Sequence, residues 1–284
     1  MSAALTILQV IARDDAADLA GKGASSVPVL TRALKTAKAA ARGARGDAAL
    51  QAALCEVQWR LSRAHERKWS IATKEGSKPR QQQSMRAGLL AARGAVATAD
   101  ALRPAPPCGD GGSAGVDVAA VRRLQHLAHK WAAIFIGYET NVAGTKQKLT
   151  NLPLLLAHAK KASSLNPADA TCHQTLGQVC FSIAGIGRAK RTLARTFYGA
   201  TIPPATYADA LRHFEEAEKA ATAGGGAPKP MNRVWLARTC GVMGDARKAK
   251  QWAAKVLELP CRTAEEARAH REAKALLGQT RSRL

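Results

Sequence analysis

The chain has 284 residues, enough for one large domain or one continuous solenoid with ample core, and no stretch approaches the roughly eighteen apolar residues that a membrane span needs. Hydrophobic residues make up an ordinary 46%, aromatics only 4%, and alanine is abundant, a balance that favours closely packed helices over sheets. Lys and Arg number 43 against 21 Asp and Glu, so the formal net charge is +22 and the pI is about 10.4; such a field attracts polyanions and says nothing about fold.

In chain order, the spacing predicts a first helix over Ala3 to Leu19, broken by Gly21 and Gly23. A second runs from Val29 to Arg42 with Val29, Leu30, Ala33, Leu34 and Ala37 on one face, and completes a hairpin over residues 1–47. Leu50, Leu54, Val57, Leu61 and Ala64 mark a third helix over Ala48 to Lys68. The polar stretch Lys74 to Ser84 reads as a loop, and Met85 to Leu102 as the next helix, closing a degenerate repeat over 48–102. Residues 103–117, rich in Pro and Gly, read as a flexible linker. Helices are then expected over Val118 to Tyr138, Leu152 to Leu165, Ala170 to about Ala184, Tyr207 to Ala221, Met231 to Val242, Ala246 to Leu259 and Thr263 to Leu277. Gly224-Gly225-Gly226 marks a second flexible break, and 278–284 a basic tail. Asp169 stands where a helix needs an N-cap, and Thr263 with Glu266 forms a capping box.

Paired helices joined by short turns prompt a search for internal repeats. After Asn166-Pro167 come His173, Leu176, Gly177 and Cys180, and the partner helix carries Ala210, Phe214 and Ala217. Two tightly packed antiparallel helices need small residues where their backbones approach and one large residue to fill the gap beside them. The same grammar returns in Leu236, Ala237 and Cys240, leading through Gly244-Asp245 to Ala249, Ala253 and Val256. Trp131, Ile134, Phe135 and Tyr138 open another unit, closed by Leu155, Ala159 and Ala162. Leu61 and Ser62, with Gly88, Ala92 and Ala95, make a weaker one. The expected fold is an all-α, tetratricopeptide-like solenoid of helical hairpins over 118–277, with an insertion at 182–206.

That insertion carries a family resemblance. The run Arg188 to Tyr207 (RAKRTLARTFYGATIPPATY), followed by Phe214 to Glu218 (FEEAE), resembles the regulator of microtubule dynamics family, whose members hold a short helix and an aromatic, Pro-Pro-containing turn inside one tetratricopeptide unit. Pro153 to Thr175, Leu236 to Pro260 and Val57 to Ala64 (VQWRLSRA) are also similar to it. The resemblance implies association with microtubules, including the spindle. For part of the family it implies mitochondria, membrane contacts or lipid. It implies no catalytic residues.

The residues themselves point the same way. The cysteines at 55, 108, 172, 180, 240 and 261 form no C-x-x-C pair and read as reduced thiols. His126 and His129 share a helix face, but no carboxylate or cysteine at ligand spacing joins them, so no metal site, cofactor or catalytic set is expected. Gly224 to Gly226 lacks the Gly-Lys-Ser/Thr end of a phosphate loop. The tryptophans read as core, with Trp69, beside Arg67 and Lys68, allowed an interface role.

The basic runs are the functional lead. Lys35, Lys38, Arg42 and Arg45 step by three and four along one helix, in a stretch with no acid between Leu19 and Gly46. Between Glu139 and Asp209 the only acid is Asp169, against Lys160, Lys161, Arg188, Lys190, Arg191 and Arg195 among others. The expectation is a non-enzymatic scaffold whose basic surface binds microtubules through the acidic tails of tubulin, or another acidic protein, alone or within a larger assembly. The alternatives are an adaptor at an anionic organelle membrane, and RNA or ribosome binding. Nucleic acid ranks last because no RNP-like or KH-like motif is present and aromatics are scarce. Asp14, Asp15 and Asp18, so early in the chain, argue against a signal or presequence. The expected location is therefore the cytoplasm with its cytoskeleton, spindle or axoneme included, with mitochondria or a membrane contact as the alternative.

Overall fold

The computed structural model describes residues 3–44, 47–104 and 116–281, which leaves Arg45, Cys108, most of the linker and the end of the tail outside the described residues. Among them there are twelve α-helices and no strand. The chain divides into two compact units, Met1–Val142 and Ala143–Leu284, so the boundary falls within the stretch 118–277 that the repeat pattern treats as one run.

The first unit holds α1 (Ala3–Leu19), α2 (Val27–Gly43), α3 (Ala48–Lys74), α4 (Lys78–Ala101) and α5 (Val118–Val142). Leu30, Ala33, Ala37 and Ala41 of α2 bury one face against Leu54, Val57, Leu61 and Ala64 of α3, and α1 adds Ile7. A second cluster joins Cys55 and Trp59 of α3 to Ala95 and Ala99 of α4 and to Val121, Leu124 and Ala128 of α5. Helix α5 therefore packs on α4 and α3 within this unit. The loop expected over Lys74 to Ser84 shrinks to three residues. Pro79 sits in the first turn of α4, where a missing N–H costs nothing, and the glutamines behind it are good helix formers.

The second unit holds α6 (Thr145–Leu165), α7 (Ala170–Ala184), α8 (Arg188–Tyr198), α9 (Tyr207–Thr222), α10 (Pro230–Val242), α11 (Ala246–Leu257) and α12 (Ala264–Arg281). Helix α6 packs on α7, α7 on α9, α9 on α10, α10 on α11 and α11 on α12, while α8 lies outside this sequence against α6. Asp169 caps α7 by accepting from the Thr171 amide. The Thr263 and Glu266 box opens α12, with 2.7 Å from the Thr263 amide to Glu266 and 3.2 Å from the Glu266 amide to the Thr263 hydroxyl. Helix α6 begins seven residues before the expected start and carries Pro153 inside it. Buried Leu149 and Leu152 hold the extra turns in place, so packing outweighs the hydrogen bond lost to the proline.

Candidate partner-binding surface

Leu176, Ala210, Phe214, Ala217, Leu236, Ala237, Ala249 and Val256 are buried. A Cβ added to Gly177 would stand 2.6 Å from Cε1 of Phe214, so only glycine lets α7 and α9 approach this closely. Trp235 stacks on Phe214 with ring centroids 5.8 Å apart. In the first unit the half-buried Tyr138 meets Phe135 edge-on, stacks on Trp69 at 4.1 Å and donates its hydroxyl to Glu66 at 3.3 Å. Trp69 is therefore engaged inside the unit. Trp131 packs at the edge of the α3–α5 cluster.

The basic residues divide into two kinds. Lys35, Lys38 and Arg42 are exposed on α2, Lys160 and Lys161 on α6, and Arg188, Lys190 and Arg195 on α8. None of these eight side chains has an ion-pair partner among the described residues. Helices α6 and α8 of the second unit pack on each other, and each carries some of these cations, whereas the α2 residues belong to the first unit. Lys38 and Arg42 also line a shallow hollow of about 310 Å³ with Gln51, over a floor of Ala41 and Leu54.

Arg191 departs from the expectation that it joins this surface. Its guanidinium donates to the carbonyls of Ile183 at 2.9 Å and Ile186 at 3.1 Å, and reaches those of Ile202 at 3.4 Å and Pro203 at 3.5 Å. The last carbonyls of a helix lack intrahelical partners, and arginine has five donors in a rigid fork. Arg191 therefore ties the end of α7 to the Pro203-Pro204 turn and holds the insertion closed. At the other end of α8, Gly199 adopts φ 61°, and Ala200 donates back to the Ala194 carbonyl at 2.9 Å, a left-handed cap that favours glycine. The helix it closes leaves Phe197 74% exposed.

A third set of cations escapes notice in the sequence. Arg60, Arg63 and Arg67 of α3 face Asp14, Asp15 and Asp18 of α1. Asp14 is buried and lies 3.5 Å from Arg60 and 2.6 Å from Arg63; Asp18 lies 3.2 Å from Arg63 and also pairs with Arg67. The signal was present as arginines at i, i+3 and i+7 and aspartates at i, i+1 and i+4, but nothing in the sequence says that α1 lies on α3.

Two histidines, His65 and His213, add little positive charge near neutral pH. Burial, aided by Lys68, lowers His65 to about 4. Burial, followed by Arg212 and His173, lowers His213 to about 4. His129 does meet a carboxylate, Asp100 at 3.1 Å, across the α4–α5 packing, a contact invisible to residue spacing. Cys55, Cys172, Cys180 and Cys240 are buried thiols, and Cys261 is exposed.

With the geometry in place, comparison with known proteins adds the family. The family described as Regulator of microtubule dynamics protein 1-3 matches residues 118–281, more than half of the chain. The chain belongs to this family. The family's region takes in α5 and all seven helices of the second unit, with α8 and its Pro-Pro turn inside it. Regulator of microtubule dynamics protein 1 of Bos taurus is 33% identical over 152 residues, 53% of this chain and 46% of that protein. Protein 3 of Xenopus laevis is 32% identical over 138 residues, 49% of this chain and 29% of its own. The chain thus spans less than half the length of these relatives. Among solved structures, a thermophilic TPR protein of Thermus thermophilus aligns over 95% of this chain and 98% of its own at 14% identity, a loose likeness with a TM-score of 0.44. No helix among the described residues is long and apolar enough to cross a membrane.

Proposed function

We propose that this protein is a non-enzymatic helical-repeat scaffold that associates with microtubules through its basic surface. The observation that carries the reading is the set of eight exposed lysines and arginines on α2, α6 and α8 that no acid of the described chain neutralises. Family membership supplies the polymer, and net charge of +22 supplies long-range attraction to an acidic partner. The contact is electrostatic and weakens with salt, since screening sets in over about 8 Å at physiological ionic strength. The test is co-sedimentation with stabilised microtubules across a salt series, with intact tubulin and with tubulin cleaved of its acidic tails. Pelleting that falls with salt and with tail removal supports the reading. No pelleting at low salt removes direct microtubule binding.

A second reading rests on Phe197. A largely exposed phenylalanine on a helix that also presents Arg188, Lys190 and Arg195 suits an anionic membrane surface, where the ring enters the headgroup boundary and the cations meet lipid phosphates. Flotation with phosphatidylserine vesicles, lost in Phe197→Ser, favours this reading; unchanged flotation removes it.

A further inference from the structure

The first unit contains two cationic ladders of identical spacing. On α3, Arg60, Arg63 and Arg67 stand at i, i+3 and i+7. On α2, Lys35, Lys38 and Arg42 stand at the same intervals. Residues so spaced lie along one face of a helix, over roughly 10 Å of its axis. The α3 ladder is filled: Asp14 sits between Arg60 and Arg63, and Asp18, one turn later on α1, sits between Arg63 and Arg67. The α2 ladder is exposed and has no acidic partner among the described residues. The protein thus displays, within itself, how an acidic helix seats on such a ladder, and a second ladder without one.

We propose that the α2 ladder is the docking site for an acidic helical segment of a protein partner, whose carboxylates, one turn apart, sit between Lys35 and Lys38 and between Lys38 and Arg42. The hollow beside Lys38 and Arg42 gives that segment a foothold. Its volume of about 310 Å³ admits an apolar side chain, Ala41 and Leu54 form an apolar floor, and the Gln51 amide offers a hydrogen bond at the rim. The α1 segment follows the same logic, since it buries Ile7 two turns ahead of Asp14. The site lies outside residues 118–281, the part that the family model matches. The inference refines the reading of a basic surface with acidic partners, and it rests on that reading only for the sign of the charge.

The test uses the full chain and a labelled synthetic peptide that is helical, with aspartates at i, i+1 and i+4 and a leucine two turns before them. A scrambled peptide of the same composition is the control. Fluorescence anisotropy at physiological salt is expected to show tighter binding of the patterned peptide. Lys35→Glu, Lys38→Glu and Arg42→Glu together should weaken it by at least roughly tenfold, the order expected from three exposed ion pairs. The charge-matched set Lys160→Glu, Lys161→Glu and Arg195→Glu removes the same net charge without touching the α2 ladder and should change it by no more than about twofold. Equal loss in both variants, equal binding of the scrambled peptide, or peptide binding too weak to measure each overturns the proposal. So does a finding that the α2 variant loses binding to phosphatidylserine vesicles or to RNA but not to the peptide. Microtubule pelleting is a separate readout, so failure of the microtubule reading leaves the peptide result standing, and the reverse also holds.

Discussion

In the first unit, a Cβ on Gly88 of α4 would stand 2.1 Å from Cζ of Phe135 on α5; in the second, a Cβ on Gly177 of α7 would stand 2.6 Å from Cε1 of Phe214 on α9. Both rings are fully buried. Each unit joins two helices by laying a phenyl ring over bare backbone, and in each a third helix bonds to a carbonyl of that pair: Ser62 of α3 donates to the Gly88 carbonyl at 3.2 Å, and Asn232 of α10 to the Phe214 carbonyl at 2.9 Å. The units part over charge. The first buries an aspartate among arginines and so neutralises part of its positive charge within the fold. The second pairs Arg233 with Glu218 at 2.7 Å and holds Arg191 by carbonyls, yet leaves Lys160, Lys161, Arg188, Lys190 and Arg195 of α6 and α8 facing solvent with no acidic partner among the described residues. Packing is thus shared between the units, while the surface differs, because small and large apolar side chains have few ways to fit and surface charge is free to vary.

The heaviest test of that comparison removes the rings. Phe135→Ala and Phe214→Ala should each cost about 3–5 kcal/mol in urea unfolding, as truncation of a buried aromatic leaves a cavity. A much smaller loss in one unit would show that its glycine–phenylalanine pair is not a packing keystone. Next comes Asp14→Ala, which leaves Arg60 and Arg63 with Asp15, Asp18 and Glu56 only. It should cost about 3 kcal/mol, the low end for breaking a buried pair; a negligible change would mean that water replaces Asp14 without penalty. Gly88→Ala and Gly177→Ala should each cost about 1–3 kcal/mol by overpacking, less the helix-propensity gain of up to about 1 kcal/mol, with Gly88→Ala the worse because its clash is deeper. The reverse order would show that Phe135 has more room to shift than Phe214. Last comes a pH dependence shared by both units. His65 and His213 are held near 4 in the folded chain, whereas an unfolded histidine titrates near 6.5. Below 6.5 the unfolded state binds more protons, so their contribution is complete above that pH and is lost as pH falls toward 4. The melting temperature should decline over that window, and His213→Gln should shallow the decline.

Much of the architecture was legible from the residues. Helix α1 runs between the residues expected of it, and α7 and α9 differ by no more than a residue, because capping side chains and glycine breaks act locally. Gly177 with Phe214 was recognisable as a pair because a repeat places them at fixed offsets. The α4 start and the α6 start were not, since a polar or proline-containing stretch becomes helical when neighbouring helices anchor it. For the candidate surface, Lys35, Lys38, Arg42, Lys160, Lys161, Arg188, Lys190 and Arg195 are exposed as an acid-poor stretch suggests, but Arg191 looks identical to Arg188 or Arg195 until the carbonyls around it are known.

What the sequence by itself determined is the class of fold, the helical grammar and the excess of positive charge, all of which follow from composition and from spacing within a few turns. What only the tertiary structure decided is which charges remain available. Whether an arginine meets an aspartate forty or more residues away, as Arg60 meets Asp14, or carbonyls of a neighbouring turn, as Arg191 does, depends on which helices lie side by side. An ion pair or a carbonyl contact is a short-range interaction between chain segments, and local residue order holds no record of it.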